Sequence, residues 1–410
     1  MVHKIQSFIW KILLVFIFLR PFLSEYVFFI IGFLYIFVFI CLSFFYMIIS
    51  DEKVTLAISN YNFPVFLFVF SILISLIYSG LNEWSSLQLY LFLPNILIFY
   101  ITTILKSEQK RQLIATIFIS ASIISIYAIY QYISDFSFVN SNKYIAEFIT
   151  RKRVFATFLS PNMLASYIIM MLFLGLGLLI TAYFQKEKTF RWIVISLFMM
   201  SVALLLTKSL GGILSFIVTF ILFIFLANLY LLPNINFRKV ALKLNNTGIN
   251  FISLLFIIVS LLFTRERLLQ LFNLNNPNNP MVQRIYYWFT SLKIIKHFPL
   301  TGIGWAKLEN LYRLYKPVPS LTTSYSHNVF LQIMVELGLL GLLSFIWIAF
   351  TFLKAAIRSI KDNTTQRALE IGLFCAGCSF LLHNLIDLSF YFGQVSFFWW
   401  IILGLFSKNN

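Results

Sequence analysis

The chain has 410 residues, of which 60% are hydrophobic and only 11% charged, and its mean hydropathy is +0.89. No soluble fold hides that much apolar surface, and apolar runs of about 20 residues recur along the chain, so the composition predicts an all-α, polytopic membrane protein. The net charge of +17 does not argue for a nucleic-acid partner, because the basic residues lie in short loops between apolar runs, where they report topology.

About twelve transmembrane helices are expected, over residues 7–23, 26–49, 63–79, 87–105, 112–133, 161–182, 190–206, 209–232, 249–263, 328–353, 368–386 and 391–407. The first is short and carries Lys11 and Arg20, and it reads as an anchor rather than a cleavable signal peptide. With an even number of spans, both termini lie on one side. One set of loops holds Lys53, then Lys106, Lys110 and Arg111, then Lys186, Lys188 and Arg191, then Arg238, Lys239 and Lys243, and finally Lys354, Arg358, Lys361 and Arg367. The short loops of the other set hold little beyond Lys208. By the positive-inside rule the first set is cytoplasmic, as are the termini, which makes this a multi-pass protein of the cytoplasmic membrane. Residues 1–133 form an N-terminal group of spans, 134–390 a core, and 391–410 the last span with a cytoplasmic tail.

Two longer connections, 134–160 and 264–327, then face outward. The first holds Lys143, Arg151, Lys152 and Arg153; the second holds Arg265, Arg267, Arg284, Lys293, Lys296, Lys307, Arg313 and Lys316. Only Asp135, Glu147, Glu266 and Glu309 oppose them. An excess of cations outside implies an anionic ligand there, and guanidinium groups match phosphate geometry. Solvation of long loops is the competing explanation.

Within the second loop, Ile285, Trp288, Phe289, Leu292 and Ile295 fall at helical spacing, flanked by Gln283, Arg284, Lys293 and Lys296. This predicts an amphipathic helix on the outer leaflet, with Tyr286, Tyr287 and Trp288 at headgroup depth; a packed lid over a cavity has the same pattern. Pro299-Leu-Thr-Gly302-Ile-Gly304 ends the helix in a turn. Ser160 is placed to cap the sixth span, with Pro161 in its first turn. Thr207-Lys208-Ser209-Leu210-Gly211-Gly212 forms a tight outer turn.

Ser326-His327-Asn328 stands at the water-facing mouth of a long apolar run, and Gly338 and Gly341 sit three apart inside that run. Near neutral pH, His327 can serve as a base, an acid or a donor to phosphate. The glycines let a helix bend or admit a second backbone at close range. An interfacial histidine beside a packing notch is the alternative. His383 and Asp387 lie one helical turn apart at the end of the eleventh span and read as a buried structural contact. Cys375 and Cys378 are two residues apart in an apolar segment, where packing is favoured over a metal site. No outward carboxylate pair is present to hold a divalent cation.

The pattern His327-Asn328, nine residues, Gly338, two residues, Gly341 recurs together with Arg153, Thr157-Phe158 and Ser160-Pro161-Asn162. It also recurs with Arg284, Trp288 and the stretch from His297 to Gly304. Taken in this order, residues 150–390 resemble the O-antigen ligase family, the bacterial group that also holds O-antigen polymerases and related envelope polysaccharide proteins. The resemblance implies an inverting, metal-independent glycosyl transfer without a cofactor on the outer face of the membrane. The donor would be a glycan on a polyprenyl-pyrophosphate carrier, and the acceptor a lipid core or a growing polysaccharide. It implies a catalytic role for His327, as base or as pyrophosphate donor, and substrate binding by Arg153, Arg265, Arg284, Asn328 and Lys208. Leu210 stands where members often carry an arginine, so Lys208 would supply that charge as a point donor. A flippase for lipid-linked glycans is the runner-up, but it needs a charged central cavity, whereas the charges here sit at the ends of spans.

Overall fold

The computed structural model describes residues 2–23, 29–50, 60–139, 146–231, 264–317 (apart from 266, 268, 271, 274, 275, 277 and 278), 323–362 and 366–407. The expected span 249–263 lies outside the described residues, as do Lys53, Lys143, Arg238, Lys239, Lys243 and Glu266.

The described chain is helical throughout. Its order is α1 (Val2–Leu19), α2 (Phe29–Ile49), α3 (Asn62–Ser79), α4 (Glu83–Thr103), α5 (Ser107–Ile133), α6 (Ala146–Thr150), α7 (Pro161–Gln185), α8 (Phe190–Leu206), α9 (Leu210–Tyr230), α10 (Pro280–His297), α11 (Leu308–Tyr315), α12 (Val329–Asp362), α13 (Arg367–His383), a 3₁₀ turn (Ser389–Tyr391) and α14 (Gly393–Phe406). Eleven of these coincide with eleven of the twelve expected apolar stretches. Among the described residues, seven helices are long and apolar enough to cross a membrane, and α8 and α14 are shorter apolar helices. The protein is therefore a polytopic helical membrane protein.

Helix α14 shows why length alone undercounts. At 14 residues it spans about 21 Å, less than a bilayer core. Almost every side chain from Val395 to Leu403 is buried, however, so it needs no lipid-facing surface. It packs against α4, while α13 lies along α7. The α7–α13 contact is backbone to backbone: a Cβ on Gly177 would stand 2.8 Å from the Ala368 carbonyl, and one on Gly372 would stand 2.6 Å from that of Phe173. Small residues let two helices approach this closely, which maximises dispersion contact where no hydrophobic drive exists between helix and lipid.

The bundle gathers several helix ends at one level. There α7 and α9 begin, α13 ends and α12 begins. The Ser160 side chain caps α7 by accepting from the Met163 N–H (3.3 Å), and Ser209 caps α9 by accepting from Gly212 (3.3 Å). The loop after α10 is tied down beside them: the Trp305 N–H donates to Ser75 Oγ at 2.7 Å, and the Lys307 ammonium donates to the last carbonyls of α3, those of Ser79 and Gly80. This is how a basic, polar loop stays packed on an apolar bundle.

Helix α10 forms where the periodicity predicts it, with most of its expected apolar stripe outward and Tyr287 turned inward. Tyr287, Thr290, Ser291 and Ile294 are buried against α12 and α11, while Ile285, Phe289 and Leu292 are exposed. Tyr287 thus points into the protein and not to headgroup depth. One stripe serves as a packed lid and the opposite stripe remains apolar.

Candidate active site

Helix α12 starts with Asn328 as its cap. The Asn328 Oδ1 accepts from the Leu331 N–H (3.0 Å), and its Nδ2 donates to the Leu385 carbonyl (2.9 Å). The Val329 N–H donates to the Asn384 carbonyl at 2.9 Å. The start of α12 is therefore clamped to the turn that follows α13, so Asn328 acts here as a structural clip. That clip brings His327 to Asp387: Nδ1 lies 3.9 Å from Oδ1, an electrostatic contact longer than a hydrogen bond. The ring of Tyr287 stacks on His327, with centroids 5.6 Å apart and planes inclined by 25°. His327 itself is a non-glycine residue at φ +52°.

Because α13 ends at His383, Asp387 lies on the following turn and does not share a helical face with His383. Asp387 keeps its electrostatic contact with buried His383 from that turn and also looks across to His327. Burial pushes the Asp387 carboxyl up, but His327, His383 and Arg284 together hold it below the usual carboxylate range. It stays ionised at neutral pH.

Arginines surround this pair. Arg284 donates through Nε to the Ile386 carbonyl (2.9 Å), one residue before Asp387, and through Nη1 to the Pro280 carbonyl (3.3 Å). Arg153 is only 4% exposed; it donates through Nε to the Thr207 carbonyl (2.9 Å) and through Nη2 to Asn162 Oδ1 (3.0 Å). Asn162 Oδ1 also accepts from Ser209 Oγ at 3.0 Å, so one amide joins the stretch before α7 to the turn before α9. The Lys208 ammonium donates to the Arg151 carbonyl at 3.2 Å, which places it at the edge of the same cluster. Gly211 lines the turn as well: a Cβ there would meet Ile386 at 2.7 Å.

The electrostatics single out a residue that the spacing did not. Arg267 is half-buried, and its guanidinium is lowered to about 10 by burial and then by repulsion from Arg151 and Arg284. Arg153 is lowered to about 9 by burial first and by Arg267 next. Arg265 is exposed, and in a helical segment such as this one residues two apart point to different sides. Of these two arginines, Arg267 is the one that couples to Arg153 and Arg284. Among the described residues, the carboxylates acting on these arginines are Glu147, which pairs with Arg151 at 3.2 Å, and Asp387. Four guanidinium groups against two carboxylates leave a net positive site.

Gly338 and Gly341 lie away from this cluster and do a different task. Gly338 has φ +65° and ψ −161°, and it breaks α12. The carbonyls freed on its N-terminal side are taken up by the loop after α10: the Ile303 N–H donates to Val335 (2.9 Å), and the Gly304 N–H to Glu336 (3.0 Å). The Leu339 N–H then donates to Pro299 at 3.0 Å. Both properties expected of the glycine, bend and close approach, are used at one residue. Among the described residues no group of three His, Cys, Asp or Glu side chains is placed to hold a metal ion.

Residues 195–346 match the family model described as O-Antigen ligase. This segment is similar to the O-antigen ligase family. The matched segment carries Lys208, Arg265, Arg267, Arg284, His327, Asn328, Gly338 and Gly341, while Arg153 and Asp387 lie outside it. No curated protein matched the chain. The match supports a role in glycan transfer for envelope polysaccharide synthesis.

Proposed function

We propose that this protein moves a glycan from a polyprenyl-pyrophosphate carrier to an acceptor hydroxyl, on the outer face of the cytoplasmic membrane, by a single inverting displacement without a metal ion. The observation that carries the reading is the convergence of Arg153, Arg267 and Arg284 on the His327–Asp387 pair at one end of the bundle. In such a displacement the acceptor O–H bond breaks, a new glycosidic C–O bond forms, and the bond from the anomeric carbon to pyrophosphate oxygen breaks with its electron pair. Negative charge grows on the leaving pyrophosphate, where preorganised guanidinium groups stabilise it. His327 takes the acceptor proton on Nε2 while its Nδ1 faces Asp387, which stabilises the imidazolium as it forms. The basic outer connections and the Lys/Arg asymmetry of the shorter loops support the outward orientation. The exposed stripe Ile285, Phe289 and Leu292 suits contact between the α10 lid and the outer leaflet, from which a polyprenyl tail would enter.

The test is His327→Gln, His327→Arg and His327→Ala in purified protein, with donor binding and turnover measured separately. A base cannot be replaced by an amide, so turnover falls by roughly 10²–10⁴ in all three while donor binding persists. Wild-type turnover in His327→Gln excludes the base.

A further inference from the structure

His327 carries its ring on a left-handed backbone, which is strained for a non-glycine residue and persists only where the surroundings hold it. Behind it runs a buried chain of two short hydrogen bonds. The Ser326 N–H donates to Gln332 Oε1 at 2.7 Å, and Gln332 Nε2 donates to Glu336 Oε1 at 2.7 Å. Ser326, Gln332 and Glu336 are all buried, at 1% exposure or less. A primary amide has two orientations, and only one presents its oxygen to Ser326; the Glu336 carboxylate, an acceptor, selects that one. The other groups facing Glu336 are the Tyr391 hydroxyl on the 3₁₀ turn and the N–H groups of Ala306 and Leu308. The Glu336 carbonyl also takes the Gly304 N–H, on the loop that ends α10. Glu336 therefore stands where the segment bearing His327 meets the loop that fixes the helix bearing Arg284 and Tyr287.

From this geometry we infer that Gln332 and Glu336 are positioning residues, which lock the Ser326–Asn328 backbone so that His327 faces Asp387 and stacks on Tyr287. The inference rests on the reading of His327 as the reacting histidine. Neither side chain reaches the arginine cluster through any hydrogen bond described above, so their loss acts on turnover and spares donor binding.

The experiment compares Gln332→Leu, Glu336→Leu and Glu336→Gln with His327→Ala in purified full-length protein, measuring kcat, the KM for a polyprenyl-pyrophosphate oligosaccharide, and thermal midpoint. Glutamine at 336 keeps an oxygen that accepts from Gln332, so Glu336→Gln holds kcat within about threefold. Gln332→Leu and Glu336→Leu lower kcat by roughly 10–100-fold, the usual effect of removing a group that orients a reacting one, with KM within about threefold. If leucine at 336 unfolds the protein, Gln332→Leu and Glu336→Gln still decide the matter. Wild-type kcat in Gln332→Leu, a loss confined to KM, or equal damage in Glu336→Gln and Glu336→Leu overturns the positioning role. If His327→Ala is inactive while Gln332→Leu is not, the positioning inference alone falls; wild-type turnover in His327→Ala overturns both.

Discussion

His327, which enters α12, and Asp387, which leaves α13, face each other at 3.9 Å because Asn328 binds the intervening turn through the Leu385 carbonyl. The two lie 60 positions apart in sequence, and the Asn328 amide together with the Val329 N–H ties their segments to each other. The contact has consequences that solution measurements reach directly.

Asp387 contributes stability through its depressed ionisation. A carboxyl held below its unfolded value stabilises the fold fully above that value, about 3.9, and the contribution is lost as pH falls through the folded one. Asp387→Asn therefore melts below wild type at pH 7, and the gap narrows as the buffer is taken below about pH 4. A gap that stays constant from pH 7 to the acid limit contradicts the assignment.

The arginines are expected to divide by burial. Arg153→Ala and Arg267→Ala lose about 2–4 kcal/mol of transition-state stabilisation each, read as kcat/KM, whereas Arg265→Ala stays within about threefold because its side chain is exposed. Arg153→Lys recovers only part, since one ammonium cannot hold both the Thr207 carbonyl and Asn162 in the geometry of a planar fork. Equal losses in Arg265→Ala and Arg267→Ala would return both to a general electrostatic role.

Two glycines with positive φ separate strain from collision. Gly80 has φ +75° with nothing within 4 Å of an added Cβ, so Gly80→Ala costs backbone strain alone, roughly 1–3 kcal/mol. Gly338 has φ +65°, and the Leu300 carbonyl occupies the space its Cβ would need. Gly338→Ala is expected to abolish folded protein or to detach the 299–304 loop, seen as a larger fall in thermal midpoint than Gly80→Ala gives. Equal midpoints would show that the loop yields freely.

Metal independence is tested by excess chelator. Transfer by purified protein continues in its presence, because the arginines supply the charge a divalent ion would otherwise bring. Activity killed by chelator and restored by added Mg²⁺ or Mn²⁺ sinks the proposed mechanism.

Orientation is tested by cysteine labelling of intact cells in a background where exposed Cys41 is replaced by alanine. A membrane-impermeant maleimide should modify Asn276→Cys and spare Lys188→Cys, both of which are exposed positions. The reverse pattern would put the arginine cluster on the wrong face.

Periodicity and length sufficed to place nearly every helix, because an apolar run in lipid must satisfy its backbone internally and has no other regular form available. The pattern around His327, Gly338 and Arg284 was equally legible, since its residue types and spacing are local. The partner of His327 was not. Asp387 follows His383 by four residues, and nothing local says that α13 stops at His383 and frees the aspartate to look elsewhere. Arg265 and Arg267 could not be ranked from sequence either, because which of two nearby side chains faces inward depends on how the segment docks. The same holds for Tyr287, whose burial comes from α11 and α12 closing over one face of α10. Local chemistry is written in the order of residues. Which polar groups meet across 54 or 60 positions is decided only when helix ends are brought to one level, and that depends on packing between segments no short-range rule connects.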